Sequence, residues 1–299
     1  MHPLTLLTLA APTLSATLTC RSLIRCPIVF DGRVPSTAIP TDFDTSNGGG
    51  WNPFNPSYVK GNTLLWSDIV LLPSVPASRF DAAAGSRAVE VTVSDESIFM
   101  SQRGFRRAGL QFAADANTGS PGGEGAKTLH FSVRQDAGRP LNLTHEYLVT
   151  SQPILDDVKN VWHETAAYDA NQFNFQTGTI IGQPGLPEDT FKLLDRENRL
   201  VWSKPMATDG SWQNFALTLD FDQNTIQVWY SANDEPLQKS GDIISANLAG
   251  QGQYQIGMLK KPTGTDDVVN SGYQESGLDE GQIYGGIFIE DSADGCVSV

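Results

Sequence analysis

The sequence predicts an all-β protein, two packed antiparallel sheets of the sandwich or jelly-roll kind with long loops. Three observations carry that prediction. Alternation of apolar and polar residues recurs along the chain while helical periodicity is scarce. With 28 glycines and 17 prolines, the 299 residues are rich in the turn formers that frequent chain reversals require. The candidate strands are separated by Gly, Pro, Asn and Asp clusters, and no repeat, low-complexity linker or shift of composition divides the chain.

Taken in order, residues 3–16 are an apolar run without an acid, followed by small residues. The run is too short to span a bilayer and reads as a secretory signal peptide over residues 1–16, leaving 17–299 as a single domain. The cysteines are Cys20, Cys26 and Cys296. An oxidising compartment favours pairing, and the near-terminal positions of Cys26 and Cys296 suggest a disulfide joining the two ends of one sheet. Cys20 then lies in the leader or competes for the same partner, and three free thiols are the alternative. No CxxC spacing points to zinc, so no metal and no cofactor are expected. Asn142-Leu-Thr144 is a glycosylation sequon that fits secretion.

Residues 127–135 alternate Leu129, Phe131 and Val133 with His130, Ser132 and Arg134, a strand with two distinct sides. In 171–178, Phe173 and Phe175 oppose Gln172, Asn174 and Gln176. In 213–221 the apolar set is Phe215, Leu217, Leu219 and Phe221, and in 224–231 it is Ile226, Val228 and Tyr230. Asp222-Gln223 between these two is a hairpin-length connection. Further strands are expected over 88–93, 104–112, 144–150, 190–194, 254–259 and 283–290. The stretches 46–57 and 114–125, rich in Gly and Pro, read as surface loops of the kind that rim binding sites.

Charge narrows the partners. With 34 acids against 20 Lys and Arg, the net charge of -14 repels phosphate backbones and anionic lipid, so neither nucleic acid nor a membrane is expected. A monomer acting on a neutral ligand suits the chain better. Arg107, Gln111, His130, Arg134, Gln172, Gln176, Lys192 and Gln227 fall on non-core faces of the expected strands. Strands about 4.8 Å apart would merge such faces into one polar surface, whose planar donors and acceptors match sugar hydroxyls. The plain alternative is a solvated sheet face. His145-Glu146 and His163-Glu164 set an imidazole beside a carboxylate, but successive strand residues point to opposite faces, so neither is a ready-made dyad. Glu146, on a strand, is the preferred catalytic carboxylate, and burial among neutral groups would fit it for general-acid work. Asp95-Glu96 reads as turn capping, and Asp156-Asp157 and Asp266-Asp267 as loop acids. No EF-hand loop, P-loop, GxSxG or HExxH is present.

Several segments in order resemble glycoside hydrolase family 131, secreted fungal β-glucanases. They are CPIVFDGRVP from Cys26, YVKG from Tyr58, WSDIVLLP from Trp66, GFRRAGL from Gly104 and KTLHFSVRQ from Lys127. LNLTHEY from Leu141, NQFNFQTGTIIG from Asn171, DGSWQNFALTLDF from Asp209 and IYGGIFIEDS from Ile283 continue it. The resemblance implies a single concanavalin-like β-jelly-roll catalytic domain with an open groove that cleaves β-1,3-, β-1,6- or β-1,4-glucan. It places one catalytic glutamate at Glu146 and a second at the position held here by Gly109, which has no side chain to serve. An impaired hydrolase, a non-catalytic glucan-binding protein and a polyuronate lyase using Tyr147, His145, Arg107 and Arg134 are therefore the competing expectations.

Overall fold

A computed structural model of the chain describes residues 23–46, 50–113, 120–153, 171–250 and 252–299. The expected leader, Cys20, His163-Glu164 and Asp156-Asp157 lie outside these residues. Two antiparallel sheets dominate. The larger has nine strands. Its main path runs β14 (Gln238–Lys239), β13 (Thr225–Ala232), β12 (Gln213–Asp220), β7 (Ala126–Gln135), β17 (Asp279–Asp291), β5 (Val89–Ser94) and β3 (Val70–Leu71). Off this path, β1 (Ile28–Asp31) pairs with β17 and β15 (Ile244–Ser245) with β13. The six-stranded sheet runs β11 (Leu200–Pro205), β10 (Thr190–Asp195), β9 (Asn171–Gly178), β8 (Glu146–Pro153), β16 (Gln255–Lys260) and β6 (Arg106–Gln111). A short ribbon joins β2 (Val34–Pro35) to β4 (Ser86–Arg87).

Alternation explains the layering. Leu129, Phe131 and Val133 of β7 and Phe215, Leu217 and Leu219 of β12 turn inward, opposite Phe173 and Phe175 of β9 and Phe191 and Leu193 of β10. Phe131 meets Phe175 edge-to-face at 5.1 Å and stacks on Phe215 at 5.4 Å. Each such ring, fully removed from water, stabilises the sandwich by about 2–3 kcal/mol. The expected strands are present with small shifts at their ends. β11 was not expected, because its largely exposed residues carry little alternation.

The β12–β13 turn is longer than the two residues expected. Residues 221–224 form it, because Asp220 Oδ1 accepts the backbone N–H groups of Asp222 and Gln223 and Asn224 adopts a left-handed φ of 55°.

The outer face of the large sheet is also covered. The helix α1 (Arg79–Ala82) lays Phe80 against Phe288 and His130, with ring centroids 5.2 and 5.1 Å apart. Beneath it β17 bulges at Gly285 and Gly286, and a Cβ on Gly285 would stand 2.4 Å from Asp81 Oδ2. The first and last described segments of the chain meet on this side. Cys26 and Cys296 form a disulfide, and Glu290 holds the tail by accepting hydrogen bonds from the backbone and the hydroxyl of Ser298 at 2.8 and 2.6 Å.

Candidate active site

The outward face of the six-stranded sheet carries the groups suited to chemistry. Register places Arg107, Leu259, Leu148, Gln176 and Lys192 side by side across five strands. A second row is Gln111, Gln255, Ser151, Asn174 and Leu194. Between the rows Gly109 faces Gly257, whose φ of 152° excludes a side chain, since its Cβ would stand 2.2 Å from the Ala108 carbonyl oxygen. The floor there is backbone, with the Gln255 amide lying against Gly109.

Glu146 pairs with Gly178 at the end of this face and is buried. Its Oε1 accepts a hydrogen bond from Gln176 Nε2 at 3.1 Å and an ion-pair contact from Lys261 Nζ, and its Oε2 accepts the Ile181 N–H at 2.8 Å. The expected neutral surroundings are absent. A ring of donors including one ammonium suits a carboxylate that accepts a proton or attacks carbon, rather than one that donates.

Lys192, buried nearby, donates to the carbonyls of Gly178 and Thr190 at 3.0 Å each. Burial pulls its ammonium down to about 8, against the pull of Asp189, Glu146 and Glu188. Two carboxamide oxygens on this face, Oε1 of Gln172 and Oε1 of Gln176, are buried without a hydrogen-bond partner among the described residues. Gln176 is oriented by its N–H bond to Glu146, so its free acceptor lies beside the carboxylate.

Residues 28–295 match the family described as the glycoside hydrolase 131 catalytic N-terminal domain. The chain belongs to glycoside hydrolase family 131. The catalytic domain of a family 131 β-glucanase from Podospora anserina superposes with a TM-score of 0.67 at 22% identity, covering 88% of this chain and 96% of that one. The family 131 catalytic domain from Coprinopsis cinerea gives 0.62 at 22% identity, over 89% and 94% of the two chains. A search of curated proteins finds no match.

In this family 131 domain the residues expected to share one face divide between two sheets. Arg107, Gln111, Gln172, Gln176, Lys192 and Glu146 lie on the six-stranded sheet. Arg107 donates to Gln102 Oε1 at 3.0 Å and sits 5.5 Å from the Phe99 ring centroid, while Gln111 bonds Asn55 and Gln253.

His130 and Arg134 lie on β7 of the other sheet, as does Gln227 on β13. His130 is fully buried, its Nε2 2.9 Å from Glu290 Oε1 and its ring stacked on Phe288 at 4.3 Å. It joins the carboxy-terminal tail to the sheet and, fully buried, offers no surface to a ligand. Burial would push Glu290 up, but His130 and Ser298 outweigh it and hold that carboxyl below the usual range. Arg134 lies beside the Asp209–Gly210 turn on the same far layer.

The set required for a lyase is also dispersed. Tyr147 points into the protein, its hydroxyl donating to Glu280 Oε2 at 2.7 Å, and burial with that carboxylate drives its phenol far above its ordinary range. His145 is held by Glu275 Oε2 at 3.1 Å and by the Lys261 carbonyl at 2.7 Å. Asn142 of the sequon donates its Nδ2 to Glu275 Oε1 at 2.9 Å. Sequence reasoning missed Lys261, whose Nζ meets Glu146. The signal was present in the alternation of 255–261, which sets Lys261 on the face of Gln255 and Gly257.

Proposed function

We propose that this family 131 domain is a secreted, monomeric β-glucan hydrolase in which Glu146 is the surviving catalytic carboxylate and turnover is slowed by Gly109. The observation that carries the reading is the unpartnered Gln176 Oε1 beside Glu146, a buried acceptor held ready for a sugar hydroxyl or the attacking water. In the hydrolysis step the water oxygen bonds to the anomeric carbon, Glu146 takes the water proton, and the bond to the leaving oxygen breaks. That oxygen must be protonated. An acid at position 109 would supply the proton, and without one bulk water does so at a cost of about 10²–10⁴ in rate. The linkage is β-1,3, β-1,6 or β-1,4, by analogy with the family. The Cys26–Cys296 disulfide supports an oxidising, extracellular setting.

A reducing-sugar assay on laminarin, a β-1,6-glucan and a cellulosic substrate tests the reading. Glu146→Gln should abolish the slow activity. Gly109→Glu should raise it by about 10-fold or more, because the added Cβ is crowded only by the movable Gln255 amide, at 2.9 Å. Equal activity in Glu146→Gln and wild type would overturn the assignment. A fully active wild type with no gain in Gly109→Glu would remove the account of impairment. Gly109 also favours a second reading, a glucan-binding protein that releases no sugar at any pH. A lyase would show itself by ultraviolet absorbance of unsaturated ends.

A further inference from the structure

A pocket lies beside the β2–β4 ribbon, on the side of the nine-stranded sheet. It has a volume of about 310 Å³ and is lined by Asp31, Arg33, Pro35, Ser36, Trp51 and Ser86 among others. Its position follows from Arg33, whose guanidinium lies 5.6 Å from the centroid of Phe288, the ring that stacks on His130 on the outer face of the nine-stranded sheet. The residues that line it include none from the six strands of the sheet that carries Glu146.

The lining selects a chemical class. Asp31 and Arg33 form a two-pronged pair, Nε to Oδ1 at 2.8 Å and Nη2 to Oδ2 at 2.6 Å, so their charges cancel and the pocket offers no net charge to an anion. The pair is rigid and planar. Arg33 Nη1 makes no hydrogen bond among the described residues, and the Asp31 carboxylate is exposed, so donor and acceptor capacity remain side by side at the pair. Beside them is a half-buried indole. Trp51 is locked by donating Nε1–H to the Arg33 carbonyl at 3.1 Å and by edge contacts with Phe43 and Phe54. The hydroxyls of Ser36 and Ser86 complete the rim. A flat apolar ring next to a neutral, planar hydrogen-bonding edge is what a pyranose needs: one face to stack and vicinal hydroxyls to pair.

We propose that this pocket is a saccharide-binding site, separate from the face of Glu146, that takes a neutral sugar unit as a free oligosaccharide or as the end of a polymer chain. The volume is at the lower limit for a small-molecule site and suits about one or two pyranose rings. The proposal does not depend on hydrolysis at Glu146.

The test uses the full ¹⁵N-labelled protein titrated with laminaritriose and, separately, with cellotriose, while the Trp51 indole N–H resonance, assigned with Trp51→Phe, is followed. It should shift and saturate in the millimolar range. Ser36→Trp, at an exposed position, fills the mouth of the pocket. It should abolish the Trp51 shift while the backbone spectrum stays folded and sugar release from a soluble glucan stays at the wild-type level. If the polymer end is the natural ligand, Ser36→Trp also lowers retention on insoluble glucan several-fold. If free oligosaccharide is, retention is unchanged while the shift is still lost. A Trp51 resonance that does not move with either oligosaccharide, or that moves equally in Ser36→Trp, overturns the proposal.

Discussion

Replacing Asp81 by asparagine should make this protein more stable at neutral and alkaline pH. Asp81 is fully buried on α1; its Oδ2 accepts from Ser78 Oγ at 2.7 Å and from the Gly286 N–H at 2.9 Å, while Oδ1 has no partner. Burial outweighs both bonds and the nearby Arg33, raising the carboxyl from 3.8 to about 7. The folded state therefore holds a proton that the unfolded chain has released between pH ~4 and ~7. The group's contribution to stability is complete below pH ~4 and falls as pH rises, until it is lost above pH ~7. At 1.36 kcal/mol per unit, the shift corresponds to about 4 kcal/mol across the window. Asparagine keeps the accepting oxygen and removes the titration, but its amide N–H lacks an acceptor, which costs about 1–3 kcal/mol at every pH. Denaturant unfolding of wild type and Asp81→Asn from pH 4 to 8.5, disulfide intact, should give a difference that moves in favour of the variant by roughly 4 kcal/mol as pH rises. Glu90, which burial and the nearby Asp136 raise to about 7, titrates in both proteins and cancels. A difference independent of pH would refute the reasoning.

Two further outcomes are expected. Replacing both Cys26 and Cys296 by serine releases a closure spanning 270 residues, which the chain-entropy estimate puts at about 5–6 kcal/mol; a loss under about 1 kcal/mol in denaturant unfolding would show that the Glu290–Ser298 bonds alone secure the ends. His130→Gln should leave kcat/KM on soluble glucan unchanged within about twofold while lowering stability by about 1.5–3 kcal/mol, because it disturbs a buried hydrogen bond to the Glu290 carboxylate. A large drop in kcat/KM without a change in Tm would return His130 to the active site.

The strands and their inward faces were legible because a buried sheet face imposes a period of two on local sequence, as in Leu129, Phe131 and Val133. The assignment of strands to layers was not. β7 lies between β12 and β17, and β6 beside β16, all distant in sequence, so the same alternation that put Gln176 near Glu146 put His130 on the far side. His130 finds Glu290 across 160 positions, and no local pattern encodes that contact. The polar side of β7 also departs from the usual solvated face, because α1 and the chain ends cover it. Glu146 stood out in the sequence through the resemblance, whereas its cationic neighbour Lys261, just past the end of β16, is brought to it only by the tertiary fold.

The bond between Cys26 and Cys296 sets their Cα atoms 5.9 Å apart and turns the polypeptide between them into a closed ring. Such a ring has no privileged starting point. Cutting it at an exposed turn such as 221–224 would change the order in which the strands are made but not which strands are neighbours. It also gives the domain a single point of departure for both arms of the chain, on the side where His130 and Glu290 hold the tail. A tether or partner module joined next to Cys26 or Cys296 would leave from the same place, with the layer that carries Glu146 turned the other way.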